Sequence, residues 1–521
     1  MNIPAQKTTG QGFGRTFWCL NTIEMFERLA YYTLRVMAPI YIMQADDPGG
    51  LHLTAADKGQ IYAWWAIFQS LLPIVTGGFA DRYGYKRTLF FSFVMMTSGY
   101  LIIAFAREIP GAGATAEQIA QINRFNYYAF FGGILTLATG TAFFKPSIQG
   151  SLAHSLTKES SSVGWSIFYW VVNVGAFVGH FLPALFLRGE HTPHAWRNLF
   201  LAAAAMSSLN FLMLLTFKDV PSGAAKDKGL WDVLVKTVVN VFEPRLIAWL
   251  AIMSGFWLMM YQLWDLQPNF ISDWIDSRPV AESLRFLPDW AYDSLTQETA
   301  RGRQIPQNVI LSLNSMFIIM GVVGMGWITR KMRTLTAMLW GMLICAAGVL
   351  VAGLTMNPWV LFFGIAFFSV GEMLTGPKKS EYLALIAPPG KKGLYLGYVN
   401  IPVGVGVYAG SKIAGYVYGH YGEKATLALK YLAEKTELAK GKQWDGTITS
   451  LETMLGITRP DAMAKLQEVT GLDATAATQM LWDTYSPQYN VWIPFAAVGV
   501  ISAIALFIFG QMAKKWSDMN A

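Results

Sequence analysis

The stretch FWCLNTIEMFERLAYYTLRVMAPIYIM, residues 17–43, is apolar over most of its length and yet carries Glu24, Glu27, Arg28 and Arg35. A helix needs roughly 20 mainly apolar residues to cross about 30 Å of hydrocarbon, so the segment reads as a membrane span. Each charge inside such a span costs about 3 kcal/mol unless it faces water or a partner. At about 100° per residue, Glu24, Glu27, Arg28, Tyr31 and Arg35 fall within an arc of roughly 100°. A stripe that narrow faces a wet cavity or paired charges; the alternative to a working cluster is a static ion-pair network holding two helices together. Glu24 and Glu27 lie one turn apart with Arg28 beside them, so they titrate as one coupled unit. Burial and a neighbouring arginine act on such carboxyls in opposite senses, which is the competition a proton-coupled carrier needs.

The rest of the chain agrees with a membrane setting. Only 14% of its 521 residues are charged, against about 25% in soluble proteins. Hydrophobic residues make up 53% and the mean hydropathy is +0.35. That excess of apolar surface excludes disorder, a disulfide scaffold and a coiled coil, and defines an all-α polytopic membrane protein. Cys19 and Cys345 sit in apolar runs, and no His-Glu-x-x-His or Cys-x-x-Cys spacing occurs, so no metal and no cofactor is expected. The net charge of +7 and the pI near 9.1 reflect topology and attraction to anionic lipid, with no nucleic acid as partner.

Apolar runs begin near residues 16, 57, 88, 122, 163 and 195, and again near 245, 305, 334, 358, 394 and 489. Twelve spans put both termini on one side. Arg82, Lys86 and Arg87, then Lys218, Lys226, Lys228 and Lys236, then Arg330, Lys331 and Arg333, with Lys391, Lys392, Lys514 and Lys515, all fall on that side. By the positive-inside rule it is cytoplasmic, and the membrane is a plasma membrane, a bacterial inner membrane being expected. The opening segment has no apolar stretch of its own, so no cleaved signal is expected.

These runs divide the chain into residues 1–217, a linker over 218–244 with an amphipathic stretch Leu230 to Val241, and residues 245–521. Two outer connections are long, 273–304 and 420–488, and the second holds two stretches of helical amphipathic period, 447–454 and 459–469. A faint echo, Gly78 and Arg82 against Gly326 and Arg330 at equal spacing, supports two six-helix halves. Such halves around a central cavity constitute the major facilitator architecture, whose site lies near mid-membrane between them.

Other polar residues inside spans repeat the first-span cost. Lys145 precedes Pro146 near the inner end of the fourth span, where snorkelling is the bland explanation. Ser166, Tyr169 and Asn173 share one face of the fifth, as binding residues or as interhelical glue. Tyr261 and Asp265 share a face of the seventh, and Glu372 lies midway along the tenth with Lys379 on its face two turns on. The segment GFADRYGYKR at 78–87 reads as an inner turn, with Asp81 and Arg82 structural and gating. His191 and His194 in a short outer loop lack a third ligand and read as solvated.

These residues resemble the proton-dependent oligopeptide transporters of the major facilitator superfamily. EMFERLAYY at 24–32 is similar to that family's Glu-x-x-Glu-Arg-Phe-x-x-Tyr motif, FYWVVNVG at 168–175 to its fifth-span signature, and Phe144-Lys145-Pro146 to its fourth-span lysine. Gly371 and Glu372 with Pro377 match the tenth-span glutamate, and Ser312 with Asn314 an eighth-span asparagine. The resemblance covers roughly residues 15–420 and 489–514 but not the outer insertion. It implies proton-driven import of di- and tripeptides, working as a monomer. Glu24, Glu27, Arg28 and Glu372 would couple the proton. Arg35 and Lys145 would meet the peptide carboxylate; Tyr31, Tyr32, Asn173 and Asn314 would line the pocket; Glu372 would receive the ammonium. Ser70 stands where many relatives carry a tyrosine, and Tyr261 where many carry an acidic residue facing the first-span arginine. Asp265, one turn on, is expected to substitute and to pair with Arg35 as the outer gate. Lys378 and Lys379 after Pro377 are unusual for the family. The alternatives are a proton-coupled carrier of another small anionic or zwitterionic solute such as nitrate, and a membrane enzyme or sensor, for which no nucleophile with a base or metal set is present.

Overall fold

A computed structural model of the chain describes residues 13–111, 115–157, 160–189, 191–217, 219, 241–387, 392–439 and 444–515. The side chain of Asp81, the stretch Leu230 to 240 and most of the expected linker fall outside the described residues.

Ten described helices are long and apolar enough to span a membrane. Two more complete the set of twelve: the charged first span Arg15–Met43, and the eleventh, Ile401–Tyr421. In order the others are Ala55–Tyr83, Tyr85–Phe105, Ala116–His154, Ser161–Phe181, Pro193–Leu214, Pro244–Met260, Gln307–Thr329, Thr334–Gly353, Pro358–Ile386 and Pro487–Ala513. The seventh span continues through a turn at Tyr261 into Gln262–Asp265 and Gln267–Trp274. Local chemistry starts several of them. Thr54 and Asp57 form a reciprocal capping box at the second, and Thr115 and Gln118 one at the fourth. Thr192 caps the sixth ahead of Pro193, which fits the first helical position because its missing N–H has no partner there anyway. Gly84, at φ +94°, turns the chain between spans two and three.

Glycines let chosen helices touch backbone to backbone. A Cβ on Gly371 would lie 2.6 Å from the Gly341 carbonyl oxygen and Cys345 Sγ, so that face of the tenth span is pressed on the ninth. Glu372, the next residue, lies about 100° round the helix from that contact.

The two long connections, expected on the outer side, are folded. Residues 278–304 form two short helices, Arg278–Ser283 and Asp289–Leu295, and a hairpin pairing Gln297–Thr299 with Gly302–Gln304. The second connection makes four helices: Lys424–Lys435, Ile448–Leu455, Arg459–Thr470 and Ala474–Tyr485. The two amphipathic stretches expected there are helical. Left-handed glycines, Gly456 and Gly471, close the middle pair. Leu427, Leu432, Leu451, Leu466 and Leu481 are buried among the four helices. This cap sits on the seventh span through Trp482, whose ring centroid is 5.6 Å from that of Trp274, while Trp274 Nε1 donates to the Gly422 carbonyl at 2.8 Å.

Candidate functional site

The motif glycine Gly175 sets the position of the first-span cluster. A Cβ there would meet the Met25 carbonyl oxygen at 2.7 Å and Arg28 Cβ at 2.9 Å, so the fifth span lies directly on the charged turn. Arg28 Nε then sits 2.5 Å from Glu27 Oε2 and 3.3 Å from Glu24 Oε1. All three residues are at most 7% exposed. Two carboxylates share one guanidinium, and Glu24 Oε2 and Arg28 Nη2 have no hydrogen-bond partner among the described residues. Tyr31 completes the stripe: its ring lies 4.8 Å from the Arg28 guanidinium, and its hydroxyl donates to Gln69 Oε1 at 3.0 Å. Lys145, from the fourth span, stands within electrostatic reach of Glu24, Glu27 and Arg28.

In the second half, Asn314 of the eighth span donates to Glu372 Oε2 at 3.1 Å and to Ser369 Oγ at 3.0 Å. Glu372 is in electrostatic reach of Tyr32 and Tyr169 of the first half. Of the expected pocket residues, Glu372 is thus bonded by Asn314 within the second half and is in electrostatic reach of Tyr32 in the first. Asn173, 8% exposed, donates to its own helix at the Tyr169 carbonyl, 2.9 Å.

The outer gate differs from expectation. Arg35 does not pair with Asp265. Its guanidinium is enclosed by three rings, Tyr62 at 4.2 Å, Trp65 at 4.4 Å and Tyr261 at 4.6 Å, and the residue is 2% exposed. Pro39, four residues on, has no N–H to give the Arg35 carbonyl, and the Tyr62 hydroxyl approaches that oxygen at 3.5 Å. Asp265 is instead taken by Lys58 of the second span, Nζ to Oδ1 2.9 Å, with both side chains fully buried. Lys58 also donates to the Asp265 carbonyl at 2.6 Å and to Asn269 Oδ1 at 3.2 Å, and Ser411 donates to Asp265 Oδ2 at 2.5 Å. The reason is depth. Lys58 enters one turn inside its helix at the level where the seventh span breaks, while Arg35 has aromatic faces to satisfy it.

Further links join the halves at that end. Asn269 donates to the Pro39 carbonyl at 3.0 Å, Gln44 to Asp273 at 2.8 Å, and Asn308 to the His180 carbonyl at 2.8 Å. Arg459 of the cap pairs with Glu423 at 2.8 Å and donates to the His52 carbonyl at 2.5 Å. His191, expected to be solvated, is held by Asp47 at 2.5 Å and faces Gln297 at 3.0 Å. Outside this seal lies a vestibule of about 870 Å³, lined by Gln44, Asp46, His191, Arg301 and Lys424. Burial and the Arg301 charge hold the Lys424 ammonium below its ordinary range, against the pull of Asp46. At the opposite end the bonds Thr334 to Glu381 and Lys86 to the Phe217 carbonyl each stay within one half, and Tyr395 donates to Glu243 at the end of the linker. Arg82 lies at that end with its guanidinium 6.0 Å from the Tyr83 ring. Among the described residues no cluster of His, Cys, Asp or Glu is arranged to hold a metal ion.

Residues 20–273 match the profile of the Major Facilitator Superfamily. The sequence is 21% identical over 487 residues to the peptide transporter YePEPT of Yersinia enterocolitica subsp. palearctica serotype O:3, covering 79% of this chain and 91% of that one. A solved POT family transporter in complex with 5-aminolevulinic acid superposes with a TM-score of 0.63 at 13% identity, covering 98% of each chain. A nucleoside transporter, NupG, superposes with a TM-score of 0.62 at 12% identity over 95% of this chain and 100% of that one, so the fold alone does not choose a solute. The chain has the major facilitator fold, and the relatives it resembles are transporters. Within that class its likeness is to the proton-dependent oligopeptide transporters, as the motifs imply.

Proposed function

We propose that the chain is a proton-coupled symporter that imports di- and tripeptides by alternating access. One observation carries the reading. What supports it is the cation Lys145 of the first half, beside the Glu24–Glu27–Arg28 cluster, together with the Asn314-held carboxyl of Glu372 in the second half, which is in electrostatic reach of Tyr32 of the first. A peptide zwitterion has an ammonium at one end and a carboxylate at the other, and two poles of opposite sign are complementary to it. Main-chain recognition by the poles leaves side-chain pockets loose and selectivity broad. Proton uptake by the Glu24–Glu27 unit releases Arg28 and changes the relative stability of the two facing states.

The moving bodies are residues 1–217 and 245–521, joined through 218–244, with both termini cytoplasmic. Because the linking bonds cluster at the outer end, the chain is read as facing inward with its outer gate shut. It works as a monomer in lipid, with protons and small peptides as its partners and no cofactor. Asp81 and Arg82 belong to the inner gate.

A second reading keeps the coupling and changes the cargo. The solved relative named above holds 5-aminolevulinic acid, which also carries an ammonium and a carboxylate. Counterflow of labelled dialanine in liposomes decides between them. Exchange that unlabelled dialanine competes away supports peptides; exchange of 5-aminolevulinic acid with none of dialanine supports the second reading.

A further inference from the structure

Two consecutive lysines follow Pro377 on the tenth span, and they differ in their surroundings. Lys378 Nζ lies 2.8 Å from Glu381 Oε2, and Glu381 is in turn bonded by Thr334. That carboxylate is occupied. Lys379 has no carboxylate within 4.0 Å among the described residues; its ammonium lies 4.2 Å from the centre of the Trp257 ring. An aromatic face attracts an ammonium without neutralising it, and it leaves the N–H donors free.

The placement of that free cation follows from helix geometry. Lys379 is seven residues beyond Glu372, two turns on the same face, about 100° round the helix from the face pressed on the ninth span at Gly371. It lies within electrostatic reach of both Glu372 and Lys145 of the other half. Lys145 also lacks a carboxylate within 4.0 Å among the described residues. Lys379 of the second half and Lys145 of the first are thus two ammonium groups within electrostatic reach, with Glu372, two turns before Lys379 on the same helix, engaged by Asn314 at 3.1 Å. Two like charges in a poorly hydrated space repel, and an anion placed between them relieves the repulsion and draws the halves together. A peptide with neutral side chains brings one carboxylate; an acidic side chain brings a second.

We infer that Lys379 is a specificity-determining residue that favours peptides carrying a second carboxylate, an acidic side chain seated between Lys379 and Lys145. The inference rests on the peptide reading given above and goes beyond it by naming a preferred class of cargo.

The test is a ratio of affinities. Dissociation constants of alanylglutamate and dialanine are measured on the purified full chain, for the parent and for Lys379→Gln and Lys379→Arg. A charge-assisted contact is worth roughly tenfold to a hundredfold, so the parent binds alanylglutamate tighter by that factor. Lys379→Gln brings the ratio to about one by that same loss of charge, and Lys379→Arg keeps it. A parent ratio near one, or a ratio that survives in Lys379→Gln, overturns the inference while leaving peptide transport standing. Failure of both peptides to bind the parent overturns the peptide reading itself.

Discussion

Lys58 and Asp265 form a fully buried ion pair, Nζ to Oδ1 2.9 Å, that joins the second span to the seventh across the two halves. Removing one partner of such a pair costs about 3–5 kcal/mol, because the other is left charged and dry. That cost falls on the closed outer face, where the pair exists. Asp265→Asn therefore opens the outer side, read as faster labelling of single cysteines placed in the outer cavity. The double variant Lys58→Gln with Asp265→Asn recovers most of the closure, since no orphan charge remains. Tyr261→Phe keeps the ring against Arg35 and labels like the parent; faster labelling there, with none in Asp265→Asn, would place the gate at Tyr261 instead.

The outer seal also contains an imidazole, His52. Burial holds the His52 imidazole below its ordinary 6.5, against the Asp47 carbonyl, which accepts from Nε2 at 2.6 Å and favours the charged form. A base with a depressed value binds fewer protons in the closed state than when freed. Its contribution is present above pH 6.5 and is lost as the pH falls toward the depressed value. Cysteine labelling of the outer cavity is therefore expected to rise as the outside is acidified below 6.5, and His52→Asn to reduce that rise. An identical pH profile in His52→Asn would remove the residue from the seal.

Glu372 is assigned the peptide ammonium. Glu372→Gln should weaken binding of free dipeptides by about 1.5–3 kcal/mol, roughly ten- to a hundredfold. N-acetylated dipeptides, lacking the ammonium, should lose far less in competition assays. Equal losses for both kinds of peptide would show that Glu372 does not meet the amino terminus.

Arg459 and Lys424 both tie the cap to the first half: Arg459 meets two backbone carbonyls there, while Lys424 lies 4.0 Å from Asp46. Arg459 pairs with Glu423, both at most 6% exposed, and reaches the carbonyl oxygens of His52 and Leu53. Arg459→Gln leaves Glu423 buried and unpaired at a cost of about 3–5 kcal/mol, so the melting temperature falls by several degrees. Glu423→Gln combined with it should return part of the loss. A melting temperature equal to the parent's in Arg459→Gln would mean that the cap does not bear on this contact.

What could be read from the sequence was whatever depends on one helix at a time. The first-span stripe, the depth of Glu372 and the two amphipathic stretches near 450 and 460 follow from period and polarity alone, and the spans begin close to where the apolar runs do. What depends on two helices meeting was harder to read. Lys58 follows directly on the Thr54–Asp57 capping box, and a lysine at a helix start reads as interfacial; only the break of the seventh span at Tyr261 brings Asp265 to it. Arg35 looked in need of a carboxylate because aromatic partners at 62, 65 and 261 are far apart in the chain. The helix Ala474–Tyr485 buries Ala474, Ala477, Thr478, Leu481 and Trp482 on one face yet is not among the stretches expected from the sequence, and the strands of the hairpin at 297–304, three residues each, are too short to stand out within a long polar connection. Asn314 carried no signal of its own beyond the family motif until Glu372 was placed beside it.

The central claim is that the Glu24–Glu27–Arg28 cluster couples a proton to peptide movement. Uptake of labelled dialanine into liposomes, acidic outside, measured beside counterflow at equal pH, tests it most directly. The parent should concentrate dialanine above its outside level under the gradient and exchange it without one. Glu27→Gln should retain exchange and lose the concentration. A Glu27→Gln protein that still concentrates dialanine as well as the parent, or a parent indifferent to the gradient, would contradict the account.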